Sequence, residues 1–136
     1  MKANELRIGN LVLLTKDSFK TSNVYQLDGF DIYKSEESEC FDINPIPLTE
    51  EWLLKFSFKK WDIKGDWVFE KVIFKDFSIE QKMIICSSGT CSLEEKENHP
   101  EVEVEKFIIR EDIIYVHQLQ NLYFALTGQE LEYEQL

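Results

Sequence analysis

Glycine and proline are scarce in this 136-residue chain, at five and three residues. That scarcity excludes a linker-rich or collagen-like protein. Cysteine is scarce as well. Three cysteines, an odd number, are too few for a disulfide framework and point to a reduced, cytoplasmic setting. No window approaches the roughly 18 apolar residues that a membrane span requires. Met1 to Arg7 carries no apolar run, so no secretory leader is expected. Basic residues are in deficit, with 15 Lys and Arg against 26 Asp and Glu, a formal net charge of −11. Binding to nucleic acid without sequence preference rests on neutralising phosphates, and this balance disfavours it. The same balance favours solubility and a basic partner. Phosphate-cradling Gly-x-Gly-x-x-Gly and Gly-Lys-Ser/Thr motifs are missing too.

What is present is enough apolar material for a core. Apolar residues make up 43% and aromatics 13%, including ten Phe and three Trp. That composition does not belong to a disordered chain, and the length suits one ordinary domain. Leu6 to Thr15 reads as a strand with Gly9 at a bend. Asn23 to Lys34 is apolar and broken by Asp28-Gly29, a hairpin signal. Ser35 to Glu39 reads as an acidic loop. Phe41 and Ile43 suggest a further strand, stopped by Asn44-Pro45-Ile46-Pro47.

Thr49 is an N-cap type ahead of Glu50 and Glu51, so a short helix is expected there, finished by Ser57. Leu48 and Leu53 are spaced as a hydrophobic staple, and Trp52, Leu53 and Phe56 supply the buried side. Asp66 to Lys75 and Ile79 to Ser87 are rich in aromatic and β-branched residues and read as strands. Ser88 to Pro100 reads as a long polar loop, and Glu101 to Arg110 as a returning strand. Val116, Leu119, Tyr123 and Leu126, with Leu122 beside them, mark one apolar face of a terminal helix. Gly128 stands where a left-handed C-cap is wanted, but no good N-cap precedes the helix. The expected fold is a single α+β domain, antiparallel and β-rich. It would have a small barrel-like N-terminal sheet, a short central helix and a C-terminal helix.

Three segments carry a resemblance. They are Glu5-Leu-Arg-Ile-Gly-Asn10, Ile46-Pro-Leu-Thr-Glu-Glu-Trp-Leu-Leu-Lys-Phe56 and Val116-His-Gln-Leu-Gln-Asn-Leu-Tyr-Phe-Ala-Leu-Thr-Gly128. In combination they resemble a family of short bacterial, phage and mobile-element proteins with no assigned activity. The resemblance implies one domain, β-structure near the start and carriage on mobile DNA. It implies no catalytic residue. Asp76 to Arg110 lies outside the resemblance and is where a specialised role is expected.

Candidate chemistry is thin. Cys86 and Cys91 have four residues between them, and His99 follows. Zinc wants four ligands, so Cys40 or a carboxylate would have to complete the set. A buried Cys86 and an ordinary Cys91 is the simpler account, and neither metal nor cofactor is expected. A phosphatase-type cradle from Cys86 needs an arginine at position 92, which is Ser. His117 is the best isolated acid–base candidate, but it has no recognisable partner in sequence.

Glu101, Glu103 and Glu105 alternate with Val102 and Val104. In a strand those glutamates share one face and repel one another unless solvent or a basic partner relieves them. Together with Glu94 and Glu95 they are the expected partner-binding residues. The occupant would be a protein or ribonucleoprotein with a basic surface, and mimicry of a nucleic-acid backbone is the sharp form of that idea. Lys59, Lys60, Trp61 and Lys64 offer an alternative, because lysines interleaved with aromatics bind single-stranded nucleic acid. The functional expectation is therefore a non-enzymatic acidic interaction protein. On mobile DNA its setting would be inhibition of a host defence nuclease, as anti-CRISPR proteins do. An RNA-binding module on residues 55–75 and a small enzyme centred on His117 are the alternatives.

Overall fold

Three antiparallel strands lie near the start of the chain, on the apolar run Leu11-Val-Leu-Leu14, on Val24 and Tyr25, and on Phe41 and Ile43. In the computed structural model, which describes residues 5–16, 22–28, 41–98 and 103–134, these are β1 (Leu11–Lys16), β2 (Ser22–Gln26) and β3 (Phe41–Asn44). Their order is β2-β1-β3, so β1 is central and the sheet is open, not a closed barrel, among the described residues. The expected Asp28-Gly29 turn and the acidic loop at 35–39 run into residues outside that description. The chain falls into two compact units, Met1–Leu48 with Tyr115–Leu131, and Thr49–Ile114 with Glu132–Leu136.

In the first unit Val12, Leu27 and Ile43 form a core with Leu6 packed against it. The terminal helix α2 (Val116–Thr127) contributes Val116, Leu119 and Tyr123, the spacing of one helical face. It stops at Gly128, whose φ of 71° suits the left-handed cap and whose N–H donates to Phe124 O at 2.8 Å. Its start lacks a capping hydroxyl. Instead, the Gln118 side chain accepts the Tyr115 N–H at 3.0 Å, and Ile46 O accepts the Val116 N–H at 2.9 Å. Leu122 and Leu126 were expected in the core but are only half-buried. Their place is taken by Gln120, which is 2% exposed.

Gln120 is buried because backbone groups need it. Its Oε1 accepts the Leu11 N–H at 2.8 Å, and its Nε2 donates to Gly9 O at 3.3 Å. Gly9 sits at φ 96°, a conformation that glycine alone adopts readily. Asn10, fully buried, donates through Nδ2 to Asn121 Oδ1 at 2.7 Å and accepts the Arg7 N–H at 2.6 Å. Arg7 donates to Asn121 Oδ1 at 3.1 Å and to both carboxylate oxygens of Glu130, and its guanidinium lies 4.3 Å from the Phe124 ring centroid. The first and last of the three sequence segments are thus occupied with each other.

In the second unit, Thr49 Oγ1 caps α1 (Glu50–Lys55) by accepting the Trp52 N–H at 3.4 Å. Leu53 and Phe56 are fully buried. Five antiparallel strands follow in the order β4-β5-β6-β7-β8. They are β4 (Lys59–Lys60), β5 (Val68–Lys75), β6 (Ile79–Cys86), β7 (Cys91–Glu97) and β8 (Glu105–Arg110). β7 corrects the expectation of a loop across 88–100. Its Ser-Leu-Glu-Glu-Lys-Glu run has weak strand propensity, yet it hydrogen-bonds on both sides, to β6 and β8. Two paired neighbours outweigh local preference. A second correction concerns 101–110, since the strand opens at Glu105. Glu103 precedes it in an exposed segment, and Glu101 lies outside the described residues. The in-strand ladder of three glutamates is therefore not formed.

Leu119, with no exposed surface, is the better core probe of α2. Leu119→Ala should cost about 2–5 kcal/mol. Half-buried Leu122→Ala should cost clearly less. Denaturant midpoints of the two variants at unchanged m-value check the order.

Candidate functional site

Residues directly opposite across an antiparallel pair share a face, so the strand register sorts the β5–β8 side chains. One face carries the rows Phe69–Ile85–Cys91, Lys71–Met83–Leu93–Phe107 and Phe74–Gln81–Glu95–Glu105. A bulge between Val72 and Phe74 is what sets Phe74 opposite Gln81. The other face carries Glu70–Ile84–Ser92–Ile108, Val72–Lys82–Glu94–Lys106 and Lys75–Glu80–Lys96. At one end the sheet is covered on both faces: Met83, Ile85 and Cys91 are buried on the first, Ile84 and Ser92 on the second. At the other end it is open.

Charge is arranged differently on the two open faces. On the Lys82 face the signs alternate. Lys82 lies 3.4 Å from Glu70 and 3.4 Å from Glu80, and Lys75 lies 3.3 Å from Glu80. Slight burial works against the Glu80 carboxylate, yet hydrogen bonds from Lys75 and Lys82 hold its pKa below the ordinary value. Glu94 stands between Lys82 and Lys106. On the Phe107 face, Glu95 stands directly opposite Glu105, and the remaining members of its row are Gln81 and Phe74. Gln81 donates to Glu95 at 3.0 Å. Glu97 lies on the same face, opposite Ile79. Lys71 is spent at the covered end, donating to Phe56 O at 2.8 Å. Beside these carboxylates Phe107 is 54% exposed and Phe74 49%. Like charges facing each other next to exposed aromatic surface oppose folding and favour a cationic partner.

Of the expected partner-binding residues, the register brings Glu95 and Glu105 together and sends Glu94 to the balanced face. Glu103 is exposed just before β8, and Glu101 is outside the described residues. Phe107 and Phe74 were missed. Their alternation was readable, but only once β7 is a strand. The β5–β6 turn is also tightly held. Asp76 Oδ1 accepts from the Ser78 N–H at 2.8 Å, the Ile79 N–H at 2.9 Å and Ser78 Oγ at 3.0 Å, which lowers its pKa. Asn98 donates to Phe77 O at 3.0 Å, and the Phe77 side chain is fully exposed.

Two lysines of the lysine-rich segment are paired with carboxylates. Lys60 lies 2.7 Å from Glu50, and Lys55 lies 3.3 Å from Glu51 with its ammonium over the Trp52 ring. Lys59 and Lys64 are exposed, and Trp61 is half-buried. Cys86 pairs with Val68, and Cys91 with Ile85, so the two thiols point to opposite faces. Cys40 and His99 lie outside the described residues, among which no three metal-ligating side chains come together. His117 is 4% exposed, its Nδ1 has no hydrogen-bond partner, and its ring stacks on Tyr115 at 5.9 Å. No helix among the described residues is long and apolar enough to cross a membrane. No family model, curated protein or solved structure matches the chain.

Two titrations follow. Burial pushes the His117 pKa below its ordinary value near 6.5, against the weaker pull of Glu5. The unfolded chain therefore binds more protons below that pH. Stability should be full above about 6.5 and fall as the pH drops below it, and His117→Phe should flatten that part of the curve. Melting temperatures from pH 8 to 5 check this. Burial also pushes the Cys91 thiol up to about 12, with Cys86 adding to the rise. Native protein treated with a maleimide at pH 8 should leave Cys91 unlabelled by peptide mapping, and unfolded protein should not.

Proposed function

We propose that this is a non-catalytic acidic binding protein whose Phe107 face docks on a basic surface of a protein or ribonucleoprotein. The observation that carries the reading is the opposition of Glu95 and Glu105 with no cation in their row, set against the charge-balanced face behind them. A cationic partner relieves that repulsion and covers Phe107 at the same time. Glu95, Glu105 and Phe107 of this face lie in Asp76 to Arg110, the part of the chain outside the family resemblance. That resemblance, to proteins of phages and mobile elements, supplies the setting: inhibition of a host defence nuclease in the cytoplasm, in the manner of anti-CRISPR proteins. The alternatives draw less support. Lys55 and Lys60 already hold carboxylates, which weakens a phosphate-binding strip. Burial and stacking against Tyr115 weaken the case for His117 as an acid–base group.

Charge reversal tests the reading. Glu95→Lys with Glu105→Lys should slow association with the captured partner by about tenfold at low salt, and the difference should shrink near 1 M salt, where the Debye length is about 3 Å. Glu94→Lys, on the balanced face, is the control and should leave capture unchanged. Equal loss in both variants, or loss in a Lys59→Glu, Lys60→Glu, Lys64→Glu variant alone, would overturn it.

A further inference from the structure

Among the described residues, the outer edge of the second sheet has no strand paired to it. β8 has β7 as its one neighbour among the described residues, so a row of its backbone N–H and C=O groups faces outward. Natural edges are usually blunted by proline, by bulges, by extreme shortness or by charged side chains, and β8 carries charge at Glu105, Lys106 and Arg110, which selects a charged partner. β8 contains no proline, and its single irregularity, between Cys91 and Ser92 on the partner strand, falls at the Ile109 end. Glu105 to Ile108 pairs with β7 in unbroken register. Apolar surface stands out on both sides of this edge: Phe107 is 54% exposed on one face and Ile108 62% on the other. An edge with open backbone groups and exposed side chains on both faces is the geometry that takes an added strand.

We infer that β8 binds an extended segment of a partner protein by strand addition, the segment placing lysine or arginine on the Phe107 face and apolar residues on the Ile108 face. This inference rests on the proposed binding role of the same face and specifies its mode. The pattern follows from register. Residues of the incoming strand opposite Glu105 and Phe107 share their face with Glu95. A lysine there neutralises Glu105 while its methylene stem and ammonium lie along Phe107. The intervening residues lie beside Lys106 and Ile108, where an apolar side chain covers Ile108. A second copy of this chain fits the edge poorly. Antiparallel self-pairing keeps the same face up in both copies, so it gathers both sets of Glu95 and Glu105 together and joins two chains of charge −11.

The test uses the intact chain and a fluorescent ten-residue peptide alternating lysine and valine, followed by anisotropy. The lysine–valine peptide should bind, and a glutamate–valine peptide should bind at least about tenfold more weakly. Lysine–serine, which keeps the charge and drops the apolar face, should also bind more weakly. Only alternate amides of an added strand point at β8. Methylating one alternate set of peptide nitrogens should therefore abolish binding, and methylating the other set should not. Phe107→Ser should weaken binding about tenfold while leaving the melting temperature in place. Equal binding by the parent and both methylated peptides would overturn strand addition and leave simple charge adhesion. No binding, together with a dimer in sedimentation, would overturn it in favour of self-pairing. If the peptide fails but partner capture still depends on Glu95 and Glu105, strand addition alone falls. If capture ignores those residues, the binding role of the face falls with it.

Discussion

Gln120 and Asn10 carry the first unit. Each is buried, and each is polar because a backbone group beside it would otherwise go unpaired. The Leu11 N–H opens β1, the central strand, and has Gln120 Oε1 as its acceptor. Removing that acceptor leaves a buried donor unsatisfied, which generally costs about 1–3 kcal/mol. Asn10 and Asn121 extend the same set to Arg7, whose guanidinium reaches Glu130 beyond the end of α2. Partners more than a hundred residues apart in sequence are fixed by a handful of directed bonds. Directed bonds fix register more sharply than apolar contact does, because a shift of one residue breaks them all. The segments Glu5–Asn10 and Val116–Gly128 are therefore engaged in holding the first unit together.

The second unit depends on register of another kind. A strand has a side-chain period of two, so pairing decides which carboxylate meets which neighbour. Glu94 and Glu95 are adjacent in sequence and have opposite surroundings, lysines on both sides for one and a glutamate for the other. The charge-balanced face needs nothing further. The Phe107 face retains a like-charge pair next to exposed aromatic surface. The held turn at Asp76 to Ile79 keeps the hairpin end ordered beside this face, with Asp76 and Asn98 fixing the backbone that presents Phe77.

Several elements were legible in the sequence for reasons that are local. Thr49 followed by two glutamates announced α1, and the three-four spacing with Gly128 announced α2, because caps and helical periodicity act within a few residues. The aromatic and β-branched runs at β5 and β6 announced strands. Composition, charge and the α+β class with its two helices followed from the same local and global signals. What stayed hidden was non-local. β7 carries a loop's composition and is a strand because β6 and β8 pair with it. Leu122 yields the core to Gln120 because the Leu11 and Gly9 backbone groups demand an amide. The glutamates of 101–105 alternate as a strand would, but pairing with β7 begins only at Glu105. Tertiary pairing alone set Glu95 against Glu105 and left β8 with one neighbouring strand among the described residues, because cross-strand neighbours are chosen by sheet order and register, and neither is written in the spacing of a single segment.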